Sequence, residues 1–348
     1  MIPFAGLKID ALLVSGLPNI RYLSGFTGDN AQLLVTPGGQ TLFTDPRFTI
    51  QASEECSCPV KIHTRGPLDA AVADQIRRKK LKRIGFESSR ITYDVYQRLK
   101  QALPLGATLK PAAGVVEKLR MIKSETEVDR IRRSVLTNSK ALEKTIRSVR
   151  PGVSEAALAG ELEYQMRLFG AEKAAFETIV AIGDRSALPH ARPTSRKLAA
   201  DELLLIDMGA CQEGYTSDMT RMLFLGRPSQ KITSMYKAVL EAQLAAIDAV
   251  RPGATASQVD SKARRVLNLH GLGKAFVHST GHGLGLEIHE PPRLGKRDNT
   301  RLEPGMVITI EPGAYVRGFG GIRIEDTVLV TQNGCEVLTP TTKELMLL

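Results

Sequence analysis

Leu203-Leu204-Leu205-Ile206-Asp207-Met208-Gly209-Ala210 is an apolar run that closes on an aspartate and a glycine–alanine step. At a shift of 104 positions, Met306-Val307-Ile308-Thr309-Ile310-Glu311-Pro312-Gly313-Ala314 repeats the pattern with a glutamate. Leu203–Ile206 and Met306–Ile310 each read as a buried strand that delivers a carboxylate at its end. Two more echoes run in the same order. Arg150-Pro151-Gly152 returns as Arg251-Pro252-Gly253, and Pro189-His190-Ala191-Arg192-Pro193 has a looser counterpart around His289-Glu290-Pro291-Pro292. Three echoes at nearly one offset predict a duplicated half-domain. Two such halves bring their strand ends together about a pseudo-twofold axis. A site on that axis draws acidic residues from both halves.

Each half offers a pair of carboxylates: Asp207 with Asp218, and Glu311 with Glu325. A lone aspartate at a strand end is more often a cap or an ion-pair partner. Four carboxylates gathered at one place repel strongly unless divalent cations neutralise them. The stretch His278-Ser279-Thr280-Gly281-His282-Gly283-Leu284-Gly285-Leu286-Glu287-Ile288-His289-Glu290 holds three of the six histidines. Its glycines permit tight turns and close approach to a ligand. Carboxylate oxygens with an imidazole suit Mn, Co, Fe or Zn better than Ca or Mg. Paired cations of that kind support hydrolysis of a carbonyl compound.

Working toward the N-terminus, the first ~115 residues alternate short apolar runs with helical stretches. Asp10–Ser15 and Lys82–Glu87 read as strands, and Thr92–Leu103 as a helix. Gln32–Val35 and Gln40–Phe43 flank the turn signal Thr36-Pro37-Gly38-Gly39 and read as a hairpin. A boundary is expected near Pro111–Val116. After it, Ser124 and Glu127 form a capping-box pattern that opens a helix running to Arg150-Pro151-Gly152.

The 348 residues suffice for two domains, and 43% hydrophobic content fits a packed core. No apolar run nears the roughly 20 residues of a membrane span, and residues 1–8 show no signal-peptide pattern. Four cysteines without a disulfide spacing point to reduced thiols and the cytoplasm. The net charge of +10 is densest in Arg77-Arg78-Lys79-Lys80-Leu81-Lys82-Arg83. Aromatics are only 5% and no nucleic-acid motif accompanies the cluster, so a solvated helix end is expected rather than nucleic-acid binding.

The chain resembles the pita-bread metallopeptidases: methionine aminopeptidase, aminopeptidase P and prolidase. The resemblance rests on Ile206-Asp207-Met208-Gly209, Thr216-Ser217-Asp218-Met219-Thr220-Arg221, the Gly281–Glu290 stretch, Ile310-Glu311-Pro312-Gly313 and Gly321-Ile322-Arg323-Ile324-Glu325-Asp326. It implies an α+β fold: a creatinase-like α/β domain over residues 1–118, then a pita-bread catalytic domain over 119–348. It implies two divalent ions, manganese first and cobalt or zinc as alternatives. Asp207 would chelate one ion, Asp218 and Glu325 would bridge both, and His282 and Glu311 would complete the cage. Glu311 would also take the proton of the attacking water. His289 resembles the histidine that hydrogen-bonds substrate and shuttles protons, and His190 its counterpart across the cleft. His278, Arg323 and Tyr315 fall where the family builds a pocket for the proline ring; Arg323 could instead pair with a ligand carboxylate. Arg293 offers a cation for a dipeptide carboxylate.

The implied substrate is a small peptide with proline second, cleaved as a prolidase would, with aminopeptidase P as the alternative. The α/β domain argues against methionine aminopeptidase, and the full cage argues against a non-catalytic binding protein. The resemblance further implies a homodimer through the α/β domain.

Overall fold

The apolar runs of the first hundred residues become one six-stranded sheet. Its order is Val60–Ile62, Gly39–Thr44, Ala31–Thr36, Ala11–Val14, Arg83–Phe86 and Thr108–Pro111. Ala11–Val14 sits inside and is buried along its whole length. Its side chains alternate between two cores. Leu12 and Val14 pack on one face, Ala11 and Leu13 on the other. Gly39 closes the hairpin with φ of +126°, a conformation that favours glycine. Thr92 caps the helix Tyr93–Ala102 by accepting from the Val95 N–H. The basic run lies at the exposed end of the helix Leu68–Arg78 and in the turn after it.

The computed structural model describes residues 2–348. It divides into two units, Met1–Arg120 and Met121–Leu348. The first unit therefore continues past Pro111, through most of the helix Val115–Met121. Val116 lies in its core, and Glu117 joins a buried polar cluster. The centre of that cluster is Glu87. Its carboxylate accepts from the backbone N–H groups of Ser15 and Gly16, both at 2.8 Å, and from Asn19 Nδ2 at 2.6 Å. Glu87→Ala removes the acceptor of three donors, the buried Gly16 N–H among them, and should cost roughly 2–4 kcal/mol. A urea midpoint for the first unfolding transition measures this; a shift within about 0.5 kcal/mol, the size of an ordinary surface effect, would contradict it.

In the second unit the duplication is visible element by element. Helices Glu125–Ile146 and Glu155–Leu168 have counterparts in Gln230–Asp248 and Ala256–Leu269. Ser124 and Glu127 form the capping box, although the helix they open stops at Ile146, short of the Arg150-Pro151-Gly152 signal. Gly152 (φ +87°) and Gly253 (φ +83°) turn the chain the same way in each half. Their N–H groups donate to Leu198 and Leu302, each at 2.8 Å.

The sheets repeat too. Ile179–Ile182, Glu202–Met208 and Met219–Leu225 pair antiparallel in one half. Gly281–Gly283, Val307–Ile310 and Asp326–Val330 do so in the other. Period-two alternation then places the acids. Leu204, Ile206 and Met208 pack against the first helix pair, while Leu203 and Leu205 face the core shared with the second half. Asp207 continues the Leu203–Leu205 face, toward the interior between the halves. Among the described residues, no helix is long and apolar enough to cross a membrane.

Candidate metal centre

Four carboxylates and one imidazole converge where the two sheets meet. Asp207, next to last in its strand, lies directly opposite Thr220. Asp218 immediately precedes that partner strand. Glu311 follows Val307–Ile310, and Glu325 precedes Asp326–Val330. Asp218, His282 and Glu325 each bring a ligand atom within 4.8 Å of the others. His282 Nε2 lies 3.6 Å from Asp218 Oδ2 and 3.3 Å from Glu311 Oε1. Asp207 stands apart from that trio, its Oδ2 held at 2.5 Å by Arg323 Nη2.

The donor set fits divalent cations. Asp207 Oδ1, Asp218 Oδ1 and Glu325 Oε1 are buried without a hydrogen-bond partner. Buried polar atoms are normally satisfied, so three orphans in one cluster ask for a ligand. Burial, then repulsion from Glu325, Asp207 and Glu311, holds the Asp218 carboxyl well above its usual range. Burial, then Glu311 and Asp207, does the same to Glu325. Burial pushes Glu311 up to about 7. His282 Nδ1 faces the Gly283 carbonyl at 3.0 Å. Donation there leaves Nε2 as the lone-pair nitrogen facing the acids, the form a ligand needs.

The neighbouring side chains orient this set. Thr220 Oγ1 donates to Glu325 Oε2 at 2.7 Å and accepts from Arg323 Nε at 3.0 Å. Thr309 Oγ1 donates to Glu311 Oε1 at 3.3 Å and accepts from the His282 N–H at 3.1 Å. The buried Asp260 carboxylate takes the Thr280 N–H and hydroxyl, and the Thr280 carbonyl accepts from Glu311 N–H at 2.7 Å. Sequence reading passed over Thr220, Thr309 and Asp260. For the threonines a signal existed: Thr220 stands two positions from Asp218 and Thr309 two from Glu311, on the same strand faces.

A cleft of about 980 Å³ opens over the carboxylates. His190, His278, His289, Arg293 and Arg323 line it with Asp207, Asp218, His282, Glu311 and Glu325. His190 and His289 are exposed in it. Tyr315 is not on the lining. It stands behind, its hydroxyl 2.6 Å from Arg323 Nη1 and 2.9 Å from His278 Nε2. Burial first, then the Arg323 charge, lowers His278 to about 4, so its imidazole is neutral. Arg323 gives its donors to Asp207, Thr220 and Tyr315. Arg293 sits cross-strand from His282 and is exposed to the cleft.

Residues 129–332 match the model of metallopeptidase family M24, and residues 4–122 match the creatinase/prolidase N-terminal domain. This chain belongs to metallopeptidase family M24. Among its relatives, the metallopeptidase is 39% identical to an Xaa-Pro dipeptidase of Pyrococcus horikoshii, over 97% of this chain and 95% of that one. The solved Xaa-Pro dipeptidase from Bacillus anthracis is 39% identical with a TM-score of 0.96, covering 99% of this chain and 97% of that one. The X-Pro aminopeptidase from Thermotoga maritima is 35% identical with a TM-score of 0.91, covering 98% of each chain. The pita-bread catalytic fold after a creatinase-type domain, expected from the motifs, is thus the fold of this metallopeptidase.

Proposed function

We propose that this metallopeptidase is a dinuclear exopeptidase that hydrolyses the Xaa–Pro bond of dipeptides. The observation that carries the reading is the cluster of orphaned carboxylate oxygens beneath a cleft, in a chain matched over nearly its whole length by proteins named Xaa-Pro dipeptidase. Asp207 would hold one cation, Asp218 and Glu325 would bridge the pair, and His282 and Glu311 would complete the second site. Bound there, divalent cations would neutralise the acids, acidify a water and polarise the scissile carbonyl.

The protein's own groups do the rest. Glu311 accepts the proton that the attacking water gives up. His289 hydrogen-bonds the substrate from one side of the cleft and His190 from the other, and both can relay protons. His278 and Arg323 shape the proline pocket, with Tyr315 fixing both from behind. An Xaa–Pro bond has no N–H, so recognition falls on the free amino group, the ring and the carboxylate. Arg293, opposite His282, is the cation placed for that carboxylate.

Manganese is the proposed ion, with cobalt or zinc able to substitute; a carboxylate-rich set with one imidazole accepts all three. Free cysteines suit the reducing cytoplasm. A homodimer through the first unit completes the proposal.

The likeness to an X-Pro aminopeptidase favours a second reading, in which longer peptides enter. Ala-Pro and Ala-Pro-Ala separate the two. The dipeptidase reading expects kcat/KM for Ala-Pro to exceed that for the tripeptide by at least about tenfold, the value of one charge-assisted contact. Comparable rates would make the protein an aminopeptidase. A peptide with Met first and no proline tests the methionine aminopeptidase alternative.

A further inference from the structure

Lys123 and Glu290 form an ion pair inside the second unit. Lys123 Nζ lies 3.3 Å from Glu290 Oε2, and the side chains retain 2% and 3% of their exposure. A pair this deep returns little net stability, because desolvation offsets the attraction. Its placement suggests another use.

Glu290 directly follows His289. Its Oε1 accepts from the Glu287 N–H at 3.0 Å. Gly285 makes the room: a Cβ there would lie 2.8 Å from Glu290 Oε1. The Gly285 carbonyl is held in turn by the Thr216 N–H at 2.7 Å. The loop is thus tied at Gly285 and at Glu287. Lys123 is itself anchored, its N–H donating to Gly305 at 2.9 Å, and Ser124 beside it caps a long helix.

His289 has no such anchors. It is exposed in the cleft, and its imidazole makes no hydrogen bond among the described residues. Its ring neighbour is His282, edge-on with centroids 4.4 Å apart. Its aim therefore depends on the backbone beneath it.

We propose that Lys123 is a positioning residue: its ammonium orients the Glu290 carboxylate, which clamps the Glu287 backbone and aims the His289 imidazole into the cleft. The kinetic consequence rests on the reading of His289 as the residue that hydrogen-bonds substrate.

The test uses the full-length, zinc-loaded protein with 13C-labelled histidine. The His289 resonance is assigned by its absence in His289→Ala. Lys123→Met should displace that resonance and leave those of His63 and His270 in place. Zinc content should not change, and kcat for Ala-Pro should fall roughly tenfold, as for other groups that orient an active-site ligand. In the His289→Ala background the same change should cost nothing further. Lys123→Met/Glu290→Gln removes both buried charges together and spares the fold; it should displace the resonance as well.

An unmoved His289 resonance in both variants overturns the proposal. So does a loss in kcat that multiplies unchanged onto His289→Ala. Full activity in His289→Ala would instead sink the assignment of that histidine, and the resonance alone would then decide the positioning.

Discussion

Asp218→Asn is expected to abolish hydrolysis and, at the same time, to raise the melting temperature of the metal-free protein. The two effects share one cause. Asp218 is buried among Glu325, Asp207 and Glu311, and one of its oxygens has no partner. Without cations that gathering is a liability. Asparagine keeps the shape and removes a group that must there either carry a charge or take up a proton. Relief of about 1 kcal/mol corresponds to some 2–4 °C in a protein of this class. With cations the order reverses. The native cage gains about 2.7 kcal/mol at a hundredfold excess over Kd, and the variant forfeits most of it. Activity should drop at least about a thousandfold, equivalent to about 4 kcal/mol of barrier. Scanning calorimetry with chelator and with Mn(II), elemental analysis of bound metal and an Ala-Pro assay together read all three.

The pH dependence follows from the same acids. Burial raises Asp218, Glu311 and Glu325 in the fold. The metal-free native state therefore binds more protons than the unfolded chain, and its stability falls as pH rises. For Glu311 the loss spans from its ordinary 4.5 to about 7. Saturating cations should flatten that slope.

The second large effect concerns Arg293. Its backbone lies across from His282, its side chain lines the cleft, and its Nε donates to Ser279 Oγ at 3.4 Å. Arg293→Met should raise KM for Ala-Pro about 10- to 100-fold, the equivalent of a charge-assisted hydrogen bond of about 1.5–3 kcal/mol. kcat should change little, because a contact to the proline carboxylate is the same in ground and transition states. Ala-Pro-amide, which lacks the charge, should be indifferent to the substitution. An equal loss on both substrates would assign Arg293 to the loop rather than to the substrate.

The catalytic fold was legible because duplication writes its own evidence. Leu203–Ile206 and Met306–Ile310 carry the same pattern, and period-two alternation sends Asp207 to the face shared by the two halves. The hairpin around Thr36–Gly39 and the capping box at Ser124 were equally local, and both formed. What stayed hidden depends on long-range pairing. Thr220 reaches Glu325 and Lys123 reaches Glu290 across more than a hundred residues. Tyr315 faces Arg323 and His278 rather than the cleft because of how its hairpin lies on the sheet, which spacing alone does not give. A boundary was expected near Pro111–Val116, with the first domain closing at residue 118. The helix after it stays with the first unit because Val116 enters that core and Glu117 bonds Asn19 and Arg90.

On the proposed reading, this cage binds divalent cations and thereby hydrolyses an Xaa–Pro dipeptide. Chelator-stripped protein, assayed on Ala-Pro with Mn, Co and Zn restored one at a time, tests it most directly. No detectable hydrolysis is expected when stripped, with recovery foremost on manganese and saturation at two equivalents per chain. Undiminished hydrolysis by the stripped protein, or none with any of the three metals, would contradict it.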